Sequence, residues 1–343
     1  ILNFAGDAMW AWKEGGAVGN LPKRLMRRAR EFDPITTPYG EFPFGIKVLA
    51  YQGDVEFLLI DGSKQWELVF SGEGVVKMMT EEKKLHRGDI KLFKDKCTAS
   101  SGEKPLLTNV DDKWFIPFAL RGLTKAENRK VVPMFVYLHL CRDNWVVGYR
   151  AVENIVEDWG GVLLGVVPYR DGLMFYIIFG IPVVSKEDVD RAVGCAEDIL
   201  DVFSGFEPRA GVSSGICYTG FTGARTTERF TVLGDAVNLA SRLMDLAEVG
   251  RVYLDVNAMR VCSRVGISVA RECIKGKSGL VEIFVPSAEQ KERRYSLVGR
   301  DGELDLIREV IQGGGVLIFE GEAGIGKSVL LDEARRIAGS AFY

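Results

Sequence analysis

Asn238 and Arg242 lie four residues apart in the stretch 230–243, FTVLGDAVNLASRL. Residues at that spacing share one face of a helix. An amide and a guanidinium presented together can orient a sugar and neutralise phosphate charge. The same pair also describes a solvated helix face, so its meaning depends on the apolar strand and the Gly234-Asp235 turn ahead of it. A second constellation is GEAGIGKS at 321–328, a complete GxxxxGK[ST] pattern between an apolar strand-like run and a helix-like run. Backbone amides around Gly321, Gly324 and Gly326 would cradle phosphates at a helix N-terminus. Lys327 would reach the β- and γ-phosphates, and Ser328 would ligate the magnesium of a bound Mg-ATP. A third group is Asp7, a carboxylate in a Gly-Asp turn within ILNFAGDAMWAW. A lone turn of that kind is ordinary hairpin chemistry.

The stretch 230–243 resembles the signature of class III nucleotidyl cyclases, which form cyclic AMP or cyclic GMP. The strings ILNFAGDA, GVSSGICYTGFTG and IKGKSGLVEIFVP extend the resemblance over most of the chain. Within that family the chain is most similar to the soluble, bicarbonate-responsive adenylyl cyclases, which carry two unequal cyclase halves followed by an ATPase. The resemblance implies that Thr231 helps to read the base, Asn238 orients the ribose and Arg242 stabilises the pentacovalent phosphorus. It implies that Asp7 holds divalent ions, two of them, Mg2+ or Mn2+, as hard oxygen ligands suit. ATP is then the substrate, converted to cyclic AMP and pyrophosphate. The chain departs from the family at Gly165, near which an adenine-reading Lys is expected. No Lys occurs between Val162 and Ile181, and Arg170 is the nearest cation. A GTP substrate, or a nucleotide-sensing module that has lost turnover, are the competing readings. Asn3 stands where bicarbonate-regulated relatives hold a Lys, so bicarbonate activation is not carried over.

The elements that must position these groups repeat. Gly53 and Gly215, Gly72 and Gly234, Val75 and Val237, Gly88 and Gly250, and Leu92 and Leu254 are all separated by the same interval of 162 residues. At the places of Thr231, Asn238 and Arg242 the first copy has Val69, Val76 and Thr80; at the place of Asp7 the second has Tyr169. Polar chemistry is split between the copies. One complete site is expected where the two halves pair, with an empty pseudo-symmetric one beside it. A second metal carboxylate belongs to an earlier strand in the family and falls before residue 1; the second copy has Tyr137 near the corresponding place.

The expected architecture is α+β. It comprises two ferredoxin-like cyclase domains, the first partial (1–96) and the second complete (131–287), joined by a connection at 97–130. A polar linker at 288–296 leads to the start of an α/β P-loop domain at 297–343, whose opening LVGRDGEL resembles STAND and AAA-like signalling ATPases. Expected strands in the second half are 132–140, 161–167, 173–179, 210–218 and 252–254, with helices at 144–159, 186–204 and 236–246. Residues 316–320, VLIFE, read as the strand before the phosphate loop. Trp114, Phe115 and Phe118 are too apolar for a free linker and should pack across both halves. The run 23–30, KRLMRRAR, reads as a helix with Leu25, Met26 and Ala29 inward.

The chain has 343 residues, 27% of them charged, and a net charge of -3. That balance gives no reason to expect nucleic acid or a polybasic membrane surface as partner. No apolar run approaches the roughly 18–20 residues that cross a bilayer. Six cysteines with no close pair argue against a zinc site and a disulfide framework. A reducing, cytoplasmic setting is the expectation. Both ends read as cut, so the chain is expected to be an internal piece of a longer protein.

Overall fold

The structure, a computed structural model, describes residues 2–5, 8–11, 18–38, 40–82, 84–95, 112–123, 125–222, 229–274, 279–290, 299–321 and 326–338. The chain divides into two compact units, Ile1–Gln290 and Lys291–Tyr343.

In the first unit the chain runs β1 (Leu2–Ala5), β2 (Ala8–Ala11), α1 (Leu21–Arg30), β3 (Ile35–Thr37), β4 (Gly40–Phe42), β5 (Val48–Gln52), β6 (Glu56–Asp61), β7 (Trp66–Ser71), α2 (Glu73–Glu82) and β8 (Ile90–Lys94). It continues with β9 (Glu127–Leu138), α3 (Trp145–Asp158), β10 (Val162–Tyr169), β11 (Gly172–Phe179), α4 (Asp188–Val202), β12 (Arg209–Val212), β13 (Gly215–Thr222), β14 (Arg229–Leu233) and α5 (Asp235–Leu246). It closes with β15 (Arg251–Asp255), α6 (Val256–Val261), β16 (Arg264–Cys273) and β17 (Leu280–Gln290).

β9 organises the second half. Its run VVPMFVYL is apolar without alternation and is buried on both faces, as a central strand must be. It pairs antiparallel with β11 on one side and with β12 and β13 on the other, within the order β10-β11-β9-β12-β15-β17-β16. Helices α3 and α4 cover one face over a core of Met134, Val136, Phe175, Ile177, Tyr149 and Ile199. Helix α5 covers the other, against Phe135, Tyr137, Ile178 and Val232. The expected strand 210–218 is divided into β12 and β13, although its register on β9 is unbroken: Val212 faces Met134 and Gly215 faces Val131. The interruption lies opposite Pro133, which has no N–H to donate, while the Ser213 N–H donates to the Pro133 carbonyl at 3.1 Å.

The first half departs from the expected ferredoxin-like sheet. Its described strands form four separate pairs: β1-β2, β3-β4, parallel β5-β8 and β6-β7. No long apolar strand like β9 lies among the described residues to join them. The repeat nevertheless holds at the level of register. Leu58 faces Val69 as Gly220 faces Thr231, and Ala50 faces Leu92 as Val212 faces Leu254, each shifted by the interval of 162 from Gly53 to Gly215. In α1 the buried positions are Pro22, Met26 and Ala29, at i, i+4 and i+7; Leu25 falls off that stripe and is 39% exposed.

The halves are clasped by α3. Glu153, 4% exposed, accepts from the Ser63 N–H at 2.6 Å, the Ser63 hydroxyl at 3.0 Å and the Lys64 N–H at 3.2 Å. Lys64 pairs with Glu157 at 2.8 Å and Arg150 with Asp61. A carboxylate buried with three donors satisfies itself and two otherwise orphaned backbone groups. The connection reaches both halves through Phe115, as expected, while Trp114 packs on the first half. Trp66 of the first half packs against Trp114 and Phe115, and Arg229 of the second donates to the Phe115 carbonyl at 2.9 Å. Phe118 instead is 65% exposed; its neighbour Leu120 fills the core place.

β17 runs on to Gln290, so Ala288–Gln290, expected in a linker, extend the sheet; Arg264 faces Gln290 across the ladder. In the second unit α7 (Asp301–Gly313) and α8 (Lys327–Ala338) share a small core of Ile307, Leu330 and Ala334. The expected strand 316–320 is not formed. No strand lies beside it among the described residues, and Val316 and Ile318 are 87% and 83% exposed. A single extended segment has no ladder to join.

Candidate active site

Thr231 lies on β14, and Asn238 and Arg242 lie one turn apart on α5, the helix that follows it. Two glycines set that helix. A Cβ on Gly211 would lie 2.2 Å from the Met244 nitrogen and 2.3 Å from the Ala240 carbonyl, so α5 rests directly on the β12 backbone. A Cβ on Gly234 would meet the Cys217 sulfur at 2.6 Å, so the strand-to-helix turn also needs a residue without a side chain. Val237, Ala240, Leu243 and Met244 are buried beneath the helix, and Asn238 and Arg242 lie along its half-buried flank. Among the described residues, neither the Asn238 amide nor the Arg242 guanidinium has a hydrogen-bond or ion-pair partner. Thr231 is 5% exposed on β14, opposite Gly220.

β1 of the first half lies beside β14. Asp7 follows in the β1-β2 turn and lies outside the described residues, as do Gly6, Gly324 and Asn3's side chain. The structure thus joins the strand leading to Asp7 with the strand carrying Thr231. The pseudo-symmetric contact, β10 beside β7 and α2, is an apolar crevice lined by Leu68, Phe70, Val75, Met79, Val166 and Pro168. Val69, the counterpart of Thr231, is 1% exposed, and the Thr80 hydroxyl, at the place of Arg242, donates to the Val76 carbonyl at 3.0 Å.

The hairpin register corrects one sequence assignment. Ala5 faces Ala8 across β1-β2, and Tyr169 faces Gly172 across β10-β11. The residues between those pairs are 6–7 and 170–171, so by register the counterpart of Asp7 is Asp171 and not Tyr169. The ungapped alignment misses this because β10 and β11 have eight residues each where β1 and β2 have four. The second copy does hold a turn carboxylate, but that carboxylate is engaged. The Tyr137 hydroxyl donates to Asp171 at 2.6 Å, and His139 Nε2 lies 3.3 Å from it. The Tyr137 bond holds the Asp171 carboxyl below its ordinary range, while burial and that same carboxylate push the phenol up. Tyr169 donates to both oxygens of Asp245 at 2.6 and 2.8 Å, and Arg170 pairs with Asp245 at 3.0 Å. Arg170 is accordingly committed and does not serve the empty space at Gly165. Among the described residues no group of three His, Cys, Asp or Glu side chains could hold a metal ion.

One charged group went unnoticed in the sequence. Glu67 on β7 is 2% exposed, and burial pushes its carboxyl up to about 7, with the Arg229 guanidinium partly opposing the shift. Its sequence signal was a lone charge in WELVF, on the strand face that also carries buried Val69.

In the second unit the Lys327 ammonium donates to the Gly321 carbonyl at 2.6 Å, across the mouth of the loop, and Gly326 has φ +95°. Residues 322–325 and the Ser328 side chain lie outside the described residues, so the loop's phosphate cradle stays an expectation.

Residues 174–288 match the family model of the adenylate and guanylate cyclase catalytic domain. The match falls within the second half of the chain. The chain is similar to adenylate cyclase type 10 of Oryctolagus cuniculus, 27% identical over 268 residues, which are 68% of this chain and 16% of that protein. It is also similar to adenylate cyclase type 10 of Homo sapiens, 26% identical over 217 residues, 55% of this chain and 13% of that protein. The matched part is thus a small fraction of either relative's length. Among solved structures, the adenylyl cyclase CyaB from P. aeruginosa aligns at 20% identity and TM-score 0.43, over 49% of this chain and 98% of that one. The guanylate cyclase domain of RhGC from Catenaria anguillulae, in complex with GTP, aligns at 20% identity and TM-score 0.42, over 49% and 100%. No helix among the described residues is long and apolar enough to cross a membrane.

Proposed function

We propose that the chain is the nucleotide-cyclising part of an adenylate cyclase. It converts ATP to cyclic AMP and pyrophosphate at a site shared by its two unequal halves, coupled to an ATPase that begins with the second unit. One observation carries the reading: an amide and a guanidinium one helical turn apart, both without a partner among the described residues, stand on the helix that follows the strand lying against β1. Arg242 neutralises the charge that builds on the phosphorus oxygens as the 3'-hydroxyl attacks. Asn238 holds the ribose so that the hydroxyl faces the phosphorus, which converts a wandering encounter into a fixed approach. Thr231 lies against the base. Asp7 is the ligand proposed for divalent ions, which in such reactions lower the pKa of the attacking oxygen and bind the triphosphate.

Gly165 favours a second reading in which GTP is the substrate, because among the described residues no cation lies within 4 Å of a Cβ there to donate to adenine, and Arg170 is paired with Asp245. The test is the rate of cyclic AMP and cyclic GMP formation by the full-length protein with Mg2+ and with Mn2+. Arg242→Ala is expected to lower turnover by about 10² or more, as the loss of a charge-stabilising donor does, while its melting temperature stays close to the wild type. Full activity in that variant would remove Arg242 from the mechanism. Absence of both products from the wild type under either metal would leave a nucleotide sensor in place of an enzyme.

A further inference from the structure

Helix α1 carries five cations and no acid in its ten residues, LPKRLMRRAR. The chain's net charge of -3 conceals them, because they are gathered on one element. Lys23, Arg24, Arg27, Arg28 and Arg30 are all exposed. Arg28 pairs with Glu31 and lies over the Phe32 ring at 5.6 Å. Among the described residues the other four have no ion-pair or hydrogen-bond partner. Like charges three or four places apart on a helix repel, as Lys23 does Arg27, Arg24 does Arg27, and Arg27 does Arg30. Beside this charge runs an apolar stripe. Leu21 and Leu25 share one flank of the helix, next to the buried Pro22, Met26 and Ala29. Phe32 continues that flank in the turn that follows, where its N–H donates to the Ala29 carbonyl at 3.1 Å. The β3-β4 hairpin repeats the pattern in strand form. Ile35 faces Phe42 and Thr36 faces Glu41, so the apolar pair shares one face and the acid lies on the other. The Asp33 carboxylate accepts from the Phe44 N–H at 2.8 Å and closes the base of this hairpin. Leu21, Phe32 and Phe42 are 50%, 55% and 51% exposed, and Leu25 and Ile35 are exposed with them.

We propose that α1 and the β3-β4 hairpin form a docking surface for an anionic lipid bilayer. The inference is independent of the nucleotide site. Four unpaired cations on one helix are complementary to a polyanion, and the apolar side chains decide which polyanion. Nucleic acid would neutralise the cations and leave Leu21 and Leu25 in water. An acidic protein segment would do the same. A bilayer surface uses both features at once. Anionic headgroups neutralise Lys23, Arg24, Arg27 and Arg30, while Leu21, Leu25 and Phe32 enter the boundary between headgroups and acyl chains, as on other basic amphipathic helices lying in a membrane plane. The long Lys and Arg stems lie along that boundary and carry their charged ends back to the headgroups. Ten helical residues span about 15 Å, half the thickness of a bilayer core, so α1 lies on the membrane and does not cross it. One short helix and one hairpin bury little apolar area, so the attachment is reversible and depends on salt.

The test is cosedimentation of the full-length protein with two kinds of vesicle, phosphatidylcholine alone and phosphatidylcholine with about 30% phosphatidylserine. Binding to the anionic vesicles is expected to exceed binding to the neutral ones by about tenfold or more, and to fall as salt rises from about 50 to about 300 mM. Arg24→Gln combined with Arg27→Gln should weaken the anionic binding on the order of tenfold. Leu21→Ser combined with Leu25→Ser keeps every charge and should weaken it by a similar factor, roughly, through lost apolar burial. All four side chains are exposed, so both variants should melt with the wild type. Hydrogen exchange of the wild type reads the contact without any substitution: amides within residues 21–42 should slow on the anionic vesicles and stay unchanged on the neutral ones. Equal binding to both vesicles, or protection confined to residues outside 21–42, would overturn the proposal. So would leucine-variant binding equal to the wild type's; if poly-glutamate or duplex DNA then displaced the vesicles, the surface would belong to an acidic protein or to nucleic acid. Self-association lost in the leucine variant, with no vesicle binding by the wild type, would assign the surface to a second copy of the chain instead.

Discussion

At the scale of single residues, Glu67 makes a claim on stability separate from any ligand. Its folded carboxyl titrates near 7 and an exposed one near 4.5, so between those values the folded state binds more protons than the unfolded. The stability tied to this group is complete below the unfolded value and is lost as pH rises through about 7. Glu67→Gln, which cannot ionise, should therefore melt close to the wild type at pH 4 and gain on it as pH rises. The gain should reach on the order of 3 kcal/mol by pH 8, since each pH unit separating the two titrations is worth about 1.4 kcal/mol. Urea denaturation at the two pH values measures it, and a constant difference would show that the carboxyl ionises normally. Asn238, Arg242 and Thr231 were legible in the sequence because their spacing carries their geometry: a strand residue, a turn, then two helix positions one turn apart. Glu67 was not, because its shift comes from burial and from Arg229, which only folding brings near.

Elements carry the next layer. α5 is seated by the absence of a side chain at 211, and Gly211→Ala would drive a methyl into the Ala240 and Met244 backbone. Overpacking of this kind costs about 1–3 kcal/mol, and backbone cannot yield as a side chain can. The variant should show a lower denaturation midpoint. Whatever activity remains should fall further than the loss of folded protein accounts for, since a displacement near 1 Å can cost about 10² in rate. Most helices and strands of the second half were readable within a few residues, because long periodic segments announce themselves. The failures have local causes. The break between β12 and β13 depends on Pro133 in another strand. The unformed strand at 316–320 has the right composition but nothing to pair with. The register of the β10-β11 hairpin, which reassigns the counterpart of Asp7 to Asp171, depends on strand length, and an ungapped comparison is blind to that.

The molecule as a whole has two seams of opposite character, and they should answer mutation differently. Asp7→Asn in the full-length protein is expected to remove cyclase activity. Asp171→Asn should leave turnover within a few fold, because its partners Tyr137 and His139 make it a structural hydrogen-bond acceptor. Equal loss in both variants, in an initial-rate assay, would mean two working sites. In the second unit, Lys327→Ala should weaken ATP binding while Arg242→Ala leaves that affinity unchanged, as isothermal titration of each variant would report. The order of strands has a mechanical consequence as well. β17 leaves the first unit at Gln290; it is bonded to β15, β15 to β12 and β12 to β9, while β9 also bonds to β13 and β13 to β14. A pull on β17 therefore enters a continuous ladder of backbone hydrogen bonds that reaches Thr231. A distortion at the far edge of that sheet is thereby shared with the strand beside β1.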